Sequence, residues 1–250
     1  MNELALFAGD GGGILAAHLL GWQTICAVEY NAFCARRRMQ RQNEGHLPPF
    51  PIWDDVCTFD GHEWRGAVDI VSGGFPCQAY STAARGRNCA DDLWPEMRRI
   101  VADVAPRYVF AENVATRAID AACEDLEAMG YETRAITLGA SDMGGDHLRP
   151  RSWLLAYADD KSQLLRGINA EVALRAGIPH RVWESDASGA RMADGLAHRV
   201  ERLRATGNGQ VPIVAREIMS AVPLPPGNAT TPSGAASSIS WLRIGPAPGP

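Results

Sequence analysis

Short apolar runs alternate with helix-like stretches over the first 156 residues, and most of the runs stop at a glycine or a polar residue. Leu4 to Phe7 is apolar and ends in a glycine cluster, Gly9-Asp-Gly-Gly-Gly13. Ile14 to Leu20 reads as a helix stopped by Gly21, and Thr24 to Val28 as a strand ended by Glu29. Asn31 is placed to cap a helix running to about Gln42. Val68 to Val71 is a buried-strand pattern followed by Ser72-Gly-Gly74. Leu93 to Val104 is helical, Tyr108 to Ala111 is a strand with Glu112 at its end, and Ala118 to Met129 is a helix that Gly130 stops. Thr133 to Leu138 and Ser152 to Ala156 are later strands. This alternation predicts an α/β fold, a mainly parallel sheet with helices on both faces. Ligands of such sheets sit at the carboxyl ends of the strands. Gly9, Glu29, Asp55, Cys77 and Glu112 all fall just after predicted strands, so one site is expected to collect them.

The totals agree with this reading. A chain of 250 residues, 46% hydrophobic and 21% charged, suits one large domain with a sizeable core. A net charge of -5 does not point to nucleic acid, although local basic patches matter more than the sum. The six cysteines, Cys26, Cys34, Cys57, Cys77, Cys89 and Cys123, contain no C-x-x-C pair, so no metal site is expected. Apart from Cys77 they read as small buried hydrophobes. The start lacks a basic n-region and no apolar run reaches membrane length, so a cytosolic protein is expected.

Four segments carry candidate chemistry. Glycines after the first strand let backbone approach a ligand closely. An acid ending the second strand can accept ribose hydroxyls, and Gly9 and Glu29 stand 20 positions apart, as an adenosine-binding turn requires. The third glycine of the dinucleotide pattern is Ile14 here, which counts against NAD. Gly73-Gly-Phe-Pro-Cys-Gln-Ala-Tyr-Ser81 holds Cys77 in a strand-end loop, where a thiol is either reactive or incidental. Glu112-Asn-Val114 ends a buried strand, where a carboxyl group either keeps its proton and donates or merely caps a loop. Arg149 and Arg151 alternate, and in an extended strand would point the same way toward a base, a phosphate or a thiolate.

In this order the pieces resemble the DNA cytosine-5 methyltransferase family of bacteria and phages. Leu6-Phe-Ala-Gly-Asp-Gly-Gly12 looks like its cofactor loop, Ala27-Val-Glu-Tyr30 like its ribose-binding strand end, and Trp53-Asp-Asp-Val56 like its adenine-contacting segment. Gly74-Phe-Pro-Cys-Gln78 with Ser81 resembles the nucleophile loop, Glu112-Asn-Val114 the Glu-Asn-Val motif, and His147-Leu-Arg-Pro-Arg151 the Gln-x-Arg-x-Arg motif. Gly207-Asn208 with Val211-Pro212 resembles the segment that returns to the cofactor pocket. The resemblance implies a Rossmann-like methyltransferase fold using S-adenosylmethionine on double-stranded DNA. It implies Cys77, Glu112, Arg149 and Arg151 as catalytic residues. Phe7, Ala8, Gly9, Gly11, Gly12, Glu29, Tyr30, Asp55, Val56, Pro76 and Asn208 would bind the cofactor, and Gln78, Ser81, Arg85 and Asn113 the substrate.

Two substitutions depart from the family pattern: Ala5 stands where an Asp is usual, and His147 where a Gln is usual. The expected organisation is a catalytic, cofactor-binding domain at 1–156 and a reduced target-recognition region at 157–193. A segment at 194–222 would return to the catalytic domain, before a Pro/Gly/Ser-rich tail at 223–250 expected to be disordered. An RNA cytosine-5 methyltransferase of the same fold and a DNA-binding remnant remain alternatives, and a restriction or recognition partner is not identified.

Overall fold

The computed structural model describes residues 1–76, 92–145, 148–158 and 209–222. Its centre is a seven-stranded sheet. The strands are β1 (Asn2–Leu6), β2 (Gln23–Val28), β3 (Ile52–Trp53), β4 (Ile70–Gly74), β5 (Tyr108–Asn113), β6 (Glu132–Leu138) and β7 (Arg151–Tyr157). Their order across the sheet is β3-β2-β1-β4-β5-β7-β6. The pairings from β3 to β5 are parallel, while β7 lies antiparallel between β5 and β6. This is the Rossmann-like, mostly parallel architecture expected from the sequence.

The helices are α1 (Gly12–Leu19), α2 (Ala32–Asn43), α3 (Trp94–Val104), α4 (Thr116–Ala128) and α5 (Pro212–Met219). Side chains alternate across a strand, so β4, β5 and β7 each feed two cores. Leu4, Leu6, Val71, Val109 and Ala111 pack against Met97 and Ile100 of α3 and Ile119 and Leu126 of α4. Ile70, Phe110, Trp153 and Leu155 face the other way, onto Ala16 and Ala17 of α1 and Val214, Ile218 and Met219 of α5. Burying each large side chain of this kind stabilises the fold by about 1.5–3 kcal/mol. The Trp153 indole N–H is satisfied inside this core, donating to the Leu138 carbonyl at 2.9 Å.

Local signals explain the element ends. The Asn31 side chain accepts from the Phe33 and Cys34 amides at 2.9 and 3.2 Å, capping α2 as expected. Three differences from the sequence expectations have physical causes. Strand β3 escapes a pattern search because it is two residues long and held at the sheet edge by β2 alone. Strand β5 runs through Glu112 and Asn113, which pair with Trp153 and Ser152 of β7, so Glu112 lies inside the strand and not past it. Of the thiols read as buried, Cys26 and Cys34 are, Cys123 is half-buried and Cys89 lies outside the described residues, but Cys57 is exposed because it sits in a surface 3-10 turn, Val56–Thr58.

Candidate active site

The carboxyl ends of β1, β2, β4 and β5 meet at one sheet edge, because parallel pairing aligns them. The loop after β1 is a tight turn in which the Gly11 amide donates to the Ala8 carbonyl at 2.9 Å. Phe7, Gly9 and Gly11 take positive φ of 48, 52 and 93°. A non-glycine residue such as Phe7 in that region is strained, a state found mainly at functional sites. Glu29 closes over this loop. Its Oε2 accepts the Gly9 amide at 2.5 Å and its Oε1 the Asn31 amide at 2.7 Å. Burial pushes the Glu29 carboxyl up, and the two amides and the Arg38 guanidinium pull it back.

Beyond Glu29 stand two exposed aromatic rings, Tyr30 and Trp53, at the ends of β2 and β3. Asp55 Oδ1 accepts the Cys57 amide at 2.9 Å and so caps the 3-10 turn. Val56 is buried in the core, and its carbonyl accepts from Arg99 of α3 at 2.9 Å. The Asp55–Val56 segment is thereby tied down beside the strand ends.

Glu112 faces the same edge from β5. Its Oε1 lies 3.0 Å from Arg151 Nε. Burial pushes the carboxyl up to about 7, outweighing the Arg151 guanidinium, Arg149 and the Gln210 side chain, which all favour the ionised carboxylate. The next residue, Asn113, spends its side chain on backbone: Nδ2 donates to the Phe75 carbonyl and Oδ1 accepts the Ala115 amide, both at 2.9 Å. These bonds anchor the start of the loop after β4. The loop's ends are pinned further by a Leu93 amide bond to the Pro76 carbonyl and by the Phe75 and Trp94 rings, 5.1 Å apart. Cys77, which follows Pro76 directly, lies outside the described residues, as do Gln78, Ser81, Arg85, His147 and Asn208.

The two arginines do not act as an alternating pair. Arg151 opens β7, but Arg149 has φ of 34° and stands before the strand, so their side chains diverge. Arg151 goes to Glu112 while Arg149 Nη2 donates to the Gly209 carbonyl, 60 positions away. That bond helps fasten the 209–211 segment over the start of α1. A Cβ on Gly12 would stand 2.1 Å from the Gln210 carbonyl oxygen, so Gly12 is required for this backbone contact whatever it does for a ligand.

Sequence reasoning missed Gln210. Its side chain reaches between Gly13 and Gly74, and the Glu112 carboxylate borders the same point on Gly74. Its Nε2 is buried beside the Glu112 carboxyl, whose ionised form the Gln210 side chain favours. The available signal was its place two residues beyond Asn208. Arg38 was missed as well, since Arg36-Arg-Arg38 reads as a solvated charge run. A cleft opens at this edge, lined by Phe7, Ala8, Gly9, Gly12, Gly13, Gly73, Gly74, Gly209 and Gln210 among others. A wall so rich in glycine brings main chain close to whatever enters. The glycine-lined cleft and the Glu29 carboxylate thus stand at the carboxyl ends of the strands, where sheets of this kind bind ligands.

Comparison with known proteins agrees. The family model for C-5 cytosine-specific DNA methylase matches residues 1–207. The chain is 27% identical over 181 residues to type II methyltransferase M.NgoMIV of Neisseria gonorrhoeae, covering 66% of this chain and 54% of that protein. It is 32% identical over 180 residues to M1.HphI of Haemophilus parahaemolyticus, covering 64% and 46%. The chain thus spans about half the length of the curated relatives it matches. Solved structures of Spodoptera frugiperda DNMT2 and S. pombe Dnmt2 share the fold at 18% identity each. Their TM-scores are 0.52 and 0.51, covering 64% and 67% of this chain and 51% and 54% of theirs. The chain belongs to the C-5 cytosine-specific DNA methylase family.

Proposed function

We infer that the protein is a DNA (cytosine-5-)-methyltransferase that uses S-adenosylmethionine and Cys77 as nucleophile. The observation that carries this reading is Glu112: a buried carboxyl group, paired with Arg151 and titrating near neutrality, at the same sheet edge as the glycine cleft and Pro76. Glu29 would hold the cofactor's ribose, with Tyr30 and Trp53 beside its adenine and the glycine loop along its remaining length. When bound, S-adenosylmethionine supplies the methyl group that carbon 5 of cytosine takes up.

The residues of the chain do the rest. Carbon 5 is a poor nucleophile until the ring is activated. Cys77 thiolate adds to carbon 6 while Glu112 delivers its proton to ring nitrogen 3, so the ring's electrons collect at carbon 5. Arg151 lies against the Glu112 carboxylate and stabilises the charge left there. Once carbon 5 carries the methyl group, water takes the carbon 5 proton, the Cys77 thiolate leaves as the ring double bond re-forms, and the nitrogen 3 proton returns to Glu112. A stacked base is out of reach, so the target cytosine must flip from the duplex.

Bisulfite sequencing of DNA from cells expressing the chain tests the reading, with conversion-resistant cytosines as the expected result. Cys77→Ser should abolish that signal while leaving S-adenosylmethionine affinity nearly unchanged. Methylation persisting in this variant would remove Cys77 from the mechanism.

A further inference from the structure

We propose that Arg38 is a positioning residue for the cofactor loop, gripping Gly9 from one side while Glu29 grips it from the other. The role deepens the cofactor reading above and rests on it. Arg38 projects from α2 and is 3% exposed. Its Nη2 donates to the Gly9 carbonyl at 2.6 Å, while the Gly9 amide donates to Glu29 at 2.5 Å. Both polar groups of one residue, held at φ of 52°, are thus claimed by a cation and an anion from neighbouring elements.

Packing does not account for the guanidinium. Among the described residues its Nε and Nη1 are buried without a hydrogen-bond partner, a costly arrangement. A well-packed aliphatic side chain in place of a buried ion is often neutral or stabilising. What an aliphatic could not do is hold the Gly9 carbonyl or balance charge. Arg38 is a cation shared by Glu29, Asp10 and Glu3, with the Cys34 thiol on its own helix also facing it and Arg149 facing Asp10 as well. Glu29 itself faces Arg38, Asp10 and Cys34, besides the Gly9 and Asn31 amides. Without Arg38, Glu29 would take up a proton at higher pH, and a protonated carboxyl has fewer acceptor sites for the Gly9 amide and the ribose hydroxyls together.

Calorimetry with S-adenosylmethionine on the full chain, comparing wild type with Arg38→Leu between about pH 8 and about pH 6, reads this out. The variant should fold, bind about tenfold more weakly at the upper pH, and lose about another tenfold on descending to the lower one. Wild type should vary less. Arg38→Lys, which keeps the charge, should restore the flatter pH response. A merely structural role would lower melting temperature without steepening that response. Folded Arg38→Leu with wild-type affinity and pH response overturns the proposal. Should that variant not fold, Arg38→Gln decides, since it keeps a donor for Gly9 without the charge; an unchanged pH response there overturns it equally. If wild type binds no S-adenosylmethionine, the cofactor reading fails. Amide exchange at Gly9, which needs no ligand, then decides the grip by accelerating in Arg38→Leu or failing to.

Discussion

Glu112 concentrates the chemistry of the site in one side chain. Its carboxyl is raised from 4.5 to about 7. The folded state therefore prefers the neutral form, and the stability this gives is complete below about pH 4.5 and lost as pH rises through about 7. Converted through the linkage relation, the loss is about 3 kcal/mol. Denaturant unfolding at about pH 5 and about pH 8 should show wild type losing stability over that interval and Glu112→Gln losing much less. Equal losses in the two proteins would mean that burial does not hold the proton there. The same substitution should cut turnover by about a hundredfold or more, the usual weight of a positioned proton donor. Glu29→Ala should weaken S-adenosylmethionine binding by about 1.5–3 kcal/mol, the scale of hydrogen bonds to a charged group, with calorimetry as the measurement.

Two turns separate what an element needs for itself from what it needs for its neighbours. Asn31→Ala removes the α2 cap and should cost about 1 kcal/mol of stability. It should leave cofactor affinity intact, because the residue meets Glu29 through its main-chain amide, which alanine keeps. A comparable loss of affinity would mean that the cap positions Glu29. Gly12→Ala is the opposite case. Backbone cannot yield as a flexible side-chain end can, so the new methyl, 2.1 Å from the Gln210 carbonyl, must lift the 209–211 segment off α1. Stability should fall by about 1–3 kcal/mol, the range for an overpacked contact, and cofactor binding should fall with it. Thermal unfolding and calorimetry on one sample would separate the two losses.

At the scale of the whole molecule, the chain spans about half the length of its curated relatives, and the interval expected to read DNA is short. Each good bidentate base contact gives about 1–3 kcal/mol of discrimination, and residues 157–193 offer few positions for them. Contacts from basic side chains there would go to phosphates, which carry no direct sequence information. A target of about two to four specified bases, with strongly salt-dependent affinity, is expected. Methylome sequencing with the purified chain tests this. A single target of six or more base pairs would place much finer readout in that interval.

Element order, the Asn31 cap and the side of the sheet that holds the site were legible in the sequence. Each rests on local physics: side-chain periodicity, cap chemistry, and the rule that parallel strands end together. Chain order alone also put Gly9, Glu29, Asp55, Cys77 and Glu112 just after strands; Glu112 proves to lie within β5, and Cys77 lies outside the described residues. Only the tertiary structure decided what those residues meet. Nothing local marks Arg38; only the packing of α2 brings it to Gly9, 29 positions away. Arg149 and Arg151 looked like one pair until a left-handed residue sent them to Gly209 and Glu112. The upward shift of the Glu112 carboxyl follows from burial among residues distant in the chain, Arg151 and Gln210 among its neighbours. Desolvation is a property of everything packed around a group, and no pattern within the strand that bears the group can state it.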